Sequence, residues 1–112
     1  MHKDVKLAWM YVKKAQSTKD RGLDFELSLS EYVSLSKDKY CFYTGVLLTS
    51  KNRTIERLNP NIGYYHSNCV AVSSKANSAK SALDAFLKSD VFTSKQKASI
   101  LGRALSQVNR SK

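Results

Sequence analysis

Cysteine is scarce in this sequence. Only Cys41 and Cys69 occur, and no C-x-x-C pair exists. A disulfide framework needs more thiols than this, so both cysteines read as small buried apolar residues. For the same reason no structural zinc is expected. No apolar run approaches the ~20 residues that cross a bilayer. The start lacks a signal-peptide core, because Met1–Lys6 is polar and the following "LAWMYV" is too short. These absences lead to the expectation of a cytoplasmic, intracellular protein with no membrane partner. Acidic residues are also few: nine Asp+Glu face nineteen Lys+Arg, for a formal net charge of +10.

What is present then carries the reading. A strongly basic balance attracts polyanions. The cations recur along the chain instead of forming a tail, from Lys3, Lys6, Lys13 and Lys14 to Arg103 and Arg110. No helix pairs them with a strong Trp/Phe/Leu face, so nucleic acid is the expected partner ahead of a membrane surface. A protein partner is not legible. At 112 residues with 42% hydrophobic content, the chain suits one globular domain over 1–112.

The expected fold class is α+β. Val5 to about Thr18 reads as a helix with Val5, Ala8, Trp9 and Val12 on its buried stripe, stopped by Asp20-Arg21-Gly22. "LDFELS" alternates like a short strand or extended link. Ser28 or Ser30 can cap a second helix, and Glu31 stands where a capping box needs it. This helical part occupies 1–40. "YCFYTGVLLT" suggests a hairpin or tight turn at Gly45. "RTIERLN" and "NCVAVS" read as strands around a Pro60–Gly63 loop, and helical spacing begins at Ser74. That β-β-α core spans 41–89, and 90–112 holds a last helix capped by Thr93 or Ser94, with Ala98, Ile100, Leu101, Leu105 and Val108 inside.

The segment "TIERLNPNIGYYHSNCVAVSSKANSAKS" concentrates the polar chemistry. Two strands and a helix can bring Glu56 opposite Asn77. A carboxylate and an amide oxygen are hard ligands suited to Mg²⁺, with Mn²⁺ as an alternative. Lys75 and Lys80 could hold backbone phosphates. Spacing alone favours a plainer account, a surface Glu56–Arg57 ion pair and a helix-start asparagine.

From about Arg21 to Ser81 the chain resembles the HNH endonuclease superfamily, in its phage and homing-endonuclease-like branch. "CFYTG" is similar to that branch's C-x-x-T-G turn. The segment from Thr54 is similar to its β-β-α-metal motif: acidic and basic neighbours, a G-Y turn, a central Asn, and a helix-borne N-x-x-K. The resemblance implies a metal-dependent nuclease that hydrolyses phosphodiester bonds in DNA, built on an HNH-like β-β-α-metal unit flanked by helices. It implies Glu56 and Asn77 as ligands of a divalent metal, Asn68 as the residue that holds the loop, and Lys80 as a phosphate contact. Arg53, Arg57 and Lys75 join Lys80 on the nucleic-acid side. The family's histidine after the acidic ligand is Arg57 here. An arginine cannot take a proton from water, although it can stabilise a pentavalent phosphate. His66, in the loop, is then either the base or a solvent-exposed loop residue. The alternative function is a degenerate HNH scaffold that binds DNA or a protein partner without cutting.

Overall fold

The computed structural model describes residues 3–111. Its elements run α1 (Lys3–Asp20), α2 (Leu29–Ser36), β1 (Arg53–Arg57), a 3₁₀ turn (His66–Asn68), β2 (Cys69–Ser73), α3 (Ser74–Lys88) and α4 (Ser94–Arg110). The protein is therefore a small α+β chain with four α-helices and a two-stranded antiparallel sheet among the described residues. None of those helices is long and apolar enough to cross a membrane. The backbone divides into two compact units, one ending at Ala79 and the other beginning at Lys80, inside α3.

Local chemistry sets most of the boundaries in the first unit. α1 ends in a Schellman motif: Gly22 N–H donates to Lys19 C=O at 2.9 Å, and Leu23 N–H to Thr18 C=O at 3.1 Å. That geometry puts Gly22 at φ +75°, where glycine carries no Cβ penalty. Ser28 and Glu31 close a reciprocal capping box on α2. "LDFELS" contributes one isolated bridge, Phe25 to Tyr64, and no strand. The Tyr40–Thr49 stretch is a tight turn. Cys41 N–H donates to Val46 C=O at 2.8 Å, and Tyr40 pairs with Leu47 in a single bridge.

The buried face of α1 differs from the expected stripe. Val5, Trp9 and Val12 are all more than half exposed. The face turned inward carries Tyr11, Lys14 and Thr18 instead. Tyr11 Oη donates to Leu27 C=O at 2.6 Å, and its ring meets Phe25 and Tyr32 edge-on at 5.5 Å each. Thr18 is fully buried, with its hydroxyl donating to Lys14 C=O. Both stripes have helical spacing. The amphipathic tyrosine and threonine win because each buries carbon while satisfying its oxygen.

Two apolar clusters form the core. Leu27, Leu35, Tyr64 and Cys69 gather Phe25 and Ile55, while Cys41, Leu48, Ala71 and Val72 gather Val70 and Ala76. In the second unit α4 starts at a Thr93–Gln96 capping box, and Lys97 Nζ donates to Leu87 C=O at 2.7 Å. No residue of α4 is buried, and Leu105 and Val108 are well exposed, contrary to the inward placement expected for them. A unit this short has too little chain to enclose a core of its own.

Gly63 is the tightest point of the first unit. A Cβ on it would stand 2.5 Å from Asp24 O and 2.9 Å from Asp24 Cβ. The next residue, Tyr64, exchanges backbone bonds with Asp24 and Glu26 at 2.8 Å each. Gly63→Ala should therefore cost about 1–3 kcal/mol through forced backbone displacement. A fall in melting temperature of roughly 5 °C or more is expected, and an unchanged melting curve would refute the close approach.

Candidate metal and nucleic-acid site

β1 and β2 pair with Glu56 opposite Val70 and Arg57 opposite Cys69. Side chains alternate along a strand. Glu56 and Val70 therefore share one face of the sheet, and Ile55, Arg57 and Cys69 share the other. Glu56 is 7% exposed, an unusual degree of burial for a carboxylate. Val70 belongs to the cluster that Ala76 joins from the first turn of α3. Asn77, the next residue, is half-buried. The Ser73 hydroxyl accepts the Ala76 N–H at 3.2 Å, which starts α3 directly from the end of β2.

Asn68 is buried and fully used. Its Oδ1 accepts the Asn59 N–H at 2.9 Å. Its Nδ2 donates to the carbonyls of Asn59 at 3.1 Å, Gly63 at 3.0 Å and Ile62 at 3.3 Å. Its own backbone carbonyl accepts the Leu58 N–H at 2.8 Å. One carboxamide thus fixes both ends of the loop joining the strands. Asn59, which sequence reasoning missed, is its main partner and also accepts the Asn61 N–H through Oδ1. The "NPN" triplet was the available signal, since an Asx side chain before proline favours such a turn.

Arg57 braces the same loop. Its Nη1 donates to Pro60 C=O at 2.9 Å and Ile62 C=O at 3.3 Å, and the guanidinium lies 5.2 Å from the centroid of the Tyr64 ring. Lys14 Nζ stands 4.7 Å from the same centroid. Burial alone would raise the Tyr64 phenol, but Lys14, Arg21 and Arg57 together outweigh it and hold the group below its ordinary value. Lys14 and Arg21 were not expected here, because no local motif marks a cation above a ring distant in sequence.

The other expected residues are dispersed. His66 begins the 3₁₀ turn with an exposed side chain, and its Nδ1 lies 3.5 Å from the Glu31 carboxylate of α2. That carboxyl is held below the usual range, chiefly by the Ser28 backbone N–H of the capping box, with His66 a lesser influence. Arg53 Nε donates to Asp38 C=O at 3.0 Å, and Lys75 is exposed on the first turn of α3. Lys80 belongs to the second unit, where its Nζ is 3.3 Å from Asp84 one turn on. Among the described residues no group of three or more His, Cys, Asp or Glu side chains converges.

Asn68 should then govern loop stability. Asn68→Ala removes four side-chain hydrogen bonds and strands buried backbone groups, a loss of about 2–4 kcal/mol. Asn68→Asp keeps the acceptor and loses the donors, so it should also destabilise. Urea titration reads both, and a change under about 0.5 kcal/mol for the alanine variant would contradict the assignment.

The chain is 30% identical over 74 residues to an uncharacterized protein of Acanthamoeba polyphaga mimivirus. That match takes in 66% of this chain and 14% of the viral protein, so the chain spans a small part of its relative's length. No family model matches the chain. No solved structure matches it either.

Proposed function

We propose that the chain is an HNH-like, metal-dependent endonuclease of phage type that hydrolyses phosphodiester bonds in DNA. The observation that carries this reading is the buried Glu56 carboxylate on β1. Its cross-strand neighbour Val70 packs with the turn of α3 that presents Asn77. The loop behind them is stapled by Asn68, the part the resemblance assigns to the central asparagine.

The donor set fits a hard divalent cation. Glu56 supplies one anionic oxygen donor and Asn77 a neutral one, as Mg²⁺ or Mn²⁺ prefers. With so few protein ligands, most of such an ion's coordination would fall to water and the substrate phosphate. Such an ion, when bound, stabilises charge on the phosphodiester and on its leaving oxygen. Glu56 and Asn77 would hold that ion, while Arg53 and Lys75 would draw the phosphate backbone by charge. His66, beside the Glu31 carboxylate, is the side chain of the loop able to accept a proton from water.

Arg57 favours a second reading, a scaffold that binds DNA or a protein partner without cutting. The guanidinium stands where the family carries its base, and it is committed to two loop carbonyls and a ring face. A side chain so used serves loop geometry in either reading.

Plasmid nicking with Mg²⁺ or Mn²⁺, against an EDTA control, separates the two. Under the nuclease reading Glu56→Ala abolishes nicking, and Asn77→Ala costs nearly as much. A loss on the order of a hundredfold in His66→Ala identifies the base. Wild-type nicking no higher than the Glu56→Ala background removes the enzyme and leaves the scaffold. In both readings the +10 charge predicts micromolar-range DNA binding that weakens steeply with salt. A gel-shift titration showing binding indifferent to salt would count against both.

A further inference from the structure

A cleft of about 610 Å³ opens in the first unit among α1, the C-terminal end of α2 and the start of β1. That volume lies within the ~300–1,000 Å³ range of ligand-binding clefts. Glu56, Asn68 and Asn77 do not line it. Five cations do: Lys3, Lys6, Lys14, Lys37 and Arg53. No carboxylate is among its lining residues. None of the five makes an ion pair among the described residues, although Lys14 also covers the Tyr64 ring and Arg53 holds the Asp38 carbonyl. Cations gathered in one concavity with no lining carboxylate raise the local potential and concentrate anions there.

Leu7, Met10, Tyr32 and Ile55 give the cleft an apolar lining, Ser36, Ser50 and Thr54 add hydroxyl-bearing residues, and Lys3, Lys6 and Lys37 are exposed at its edge. Apolar surface beneath cations suits a ligand that is anionic along one edge and flat and apolar along the other. The charge is also strung out. Lys3 and Lys14 stand eleven residues apart on α1, roughly 16 Å at ~1.5 Å per residue. One phosphate group would need cations converging on a point. A polynucleotide backbone needs them spaced along a track. In a duplex the base faces are stacked inside, whereas an unpaired strand offers them to an apolar floor.

We propose that this cleft seats a single-stranded nucleic-acid segment, with backbone phosphates on the lysine rim and bases over Leu7, Met10 and Ile55. The proposal shares the nucleic-acid part of the functional reading above and does not rest on cleavage. It names an unpaired strand as the ligand class of a surface that Glu56 does not line, with Arg53 common to both readings.

The test is fluorescence anisotropy with a labelled oligothymidylate and a blunt hairpin duplex of matched phosphate count. The wild type should bind the single strand about tenfold more tightly than the hairpin. Lys6→Glu with Lys37→Glu should weaken oligothymidylate binding roughly tenfold and reduce the log–log salt slope by about 0.7 for each phosphate no longer neutralised. Lys95→Glu with Arg103→Glu makes the same charge change on α4 and should weaken it less than about threefold, the remainder being general attraction. Equal losses in the two double variants, or a hairpin bound as tightly as the single strand, would overturn the proposal. So would cleft-dependent binding to phosphatidylserine vesicles with none to oligothymidylate. Should the cleft variant fail to fold, lysine acetylation of the wild type gives the same answer. Oligothymidylate should protect Lys6 and Lys37 more than Lys95, and equal protection refutes the site. Nicking is not read in any arm, so failure here leaves the Glu56–Asn77 reading intact, and failure of nicking leaves this one intact.

Discussion

The Asn68 carboxamide is the constraint on which the rest of the first unit depends. A two-stranded ribbon is marginal in water without further support, and β1 and β2 are joined by a loop of irregular backbone. Irregular backbone near a core must find partners for its N–H and C=O groups. Asn68 supplies several at once from a buried position, accepting from Asn59 and donating to Asn59, Ile62 and Gly63. The path of the loop is therefore held chiefly by one side chain, with Arg57 bracing the Pro60 and Ile62 carbonyls beside it.

That fixed path has a longer reach. The loop delivers Gly63 and Tyr64 against Asp24, where backbone bonds tie the ribbon to the link between α1 and α2. The Tyr64 ring then meets Phe25 at 5.7 Å on one side of the cluster containing Leu27, Leu35 and Cys69. Lys14 and Arg57 lie over it. Cations over an aromatic face gain from the ring quadrupole, more so where water is partly excluded. A chain this basic can thus place positive charge against its own core.

Much of this was legible because it is local. The capping box at Ser28–Glu31, the cap at Thr93, the stop at Gly22, and the strands flanking Pro60–Gly63 each follow from a few adjacent residues. The failures are about faces. Val5, Trp9 and Val12 lie outward because Tyr11 and Thr18 satisfy their hydroxyls inward, and periodicity alone cannot rank two helical stripes. Of the two readings of "LDFELS" the extended link holds, with Phe25 in a single bridge to a Tyr64 that a distant loop brings to it. The element order allowed Glu56 to face Asn77, spacing alone favoured a plainer account, and the motif resemblance tipped the reading towards a shared site. The cleft lined by Lys3, Lys6 and Lys37 could not be read at all, as its walls come from three separated elements.

Arg57 sharpens what the Glu56 surroundings demand. Glu56 and Arg57 are adjacent on β1, so alternation sends their side chains to opposite faces of the ribbon. The arginine goes to the loop carbonyls and Tyr64, while the carboxylate is buried on the face that Val70 shares. Burying a carboxylate costs several kcal/mol unless charge or hydrogen bonds compensate it. A protein assembled for stability alone has simpler choices at that position, since an apolar residue beside Val70 would extend the cluster of Val72 and Ala76. Under the nuclease reading proposed above, the acid is kept there to hold a cation. The proposed role as a metal ligand and a purely structural role differ in outcome, and nicking assays on Glu56→Ala and Glu56→Gln distinguish the two. Under the nuclease reading both lose activity, and the glutamine variant, which keeps volume and one acceptor, melts close to the wild type. Loss of stability in both, with no metal-dependent nicking in the wild type, assigns Glu56 to structure.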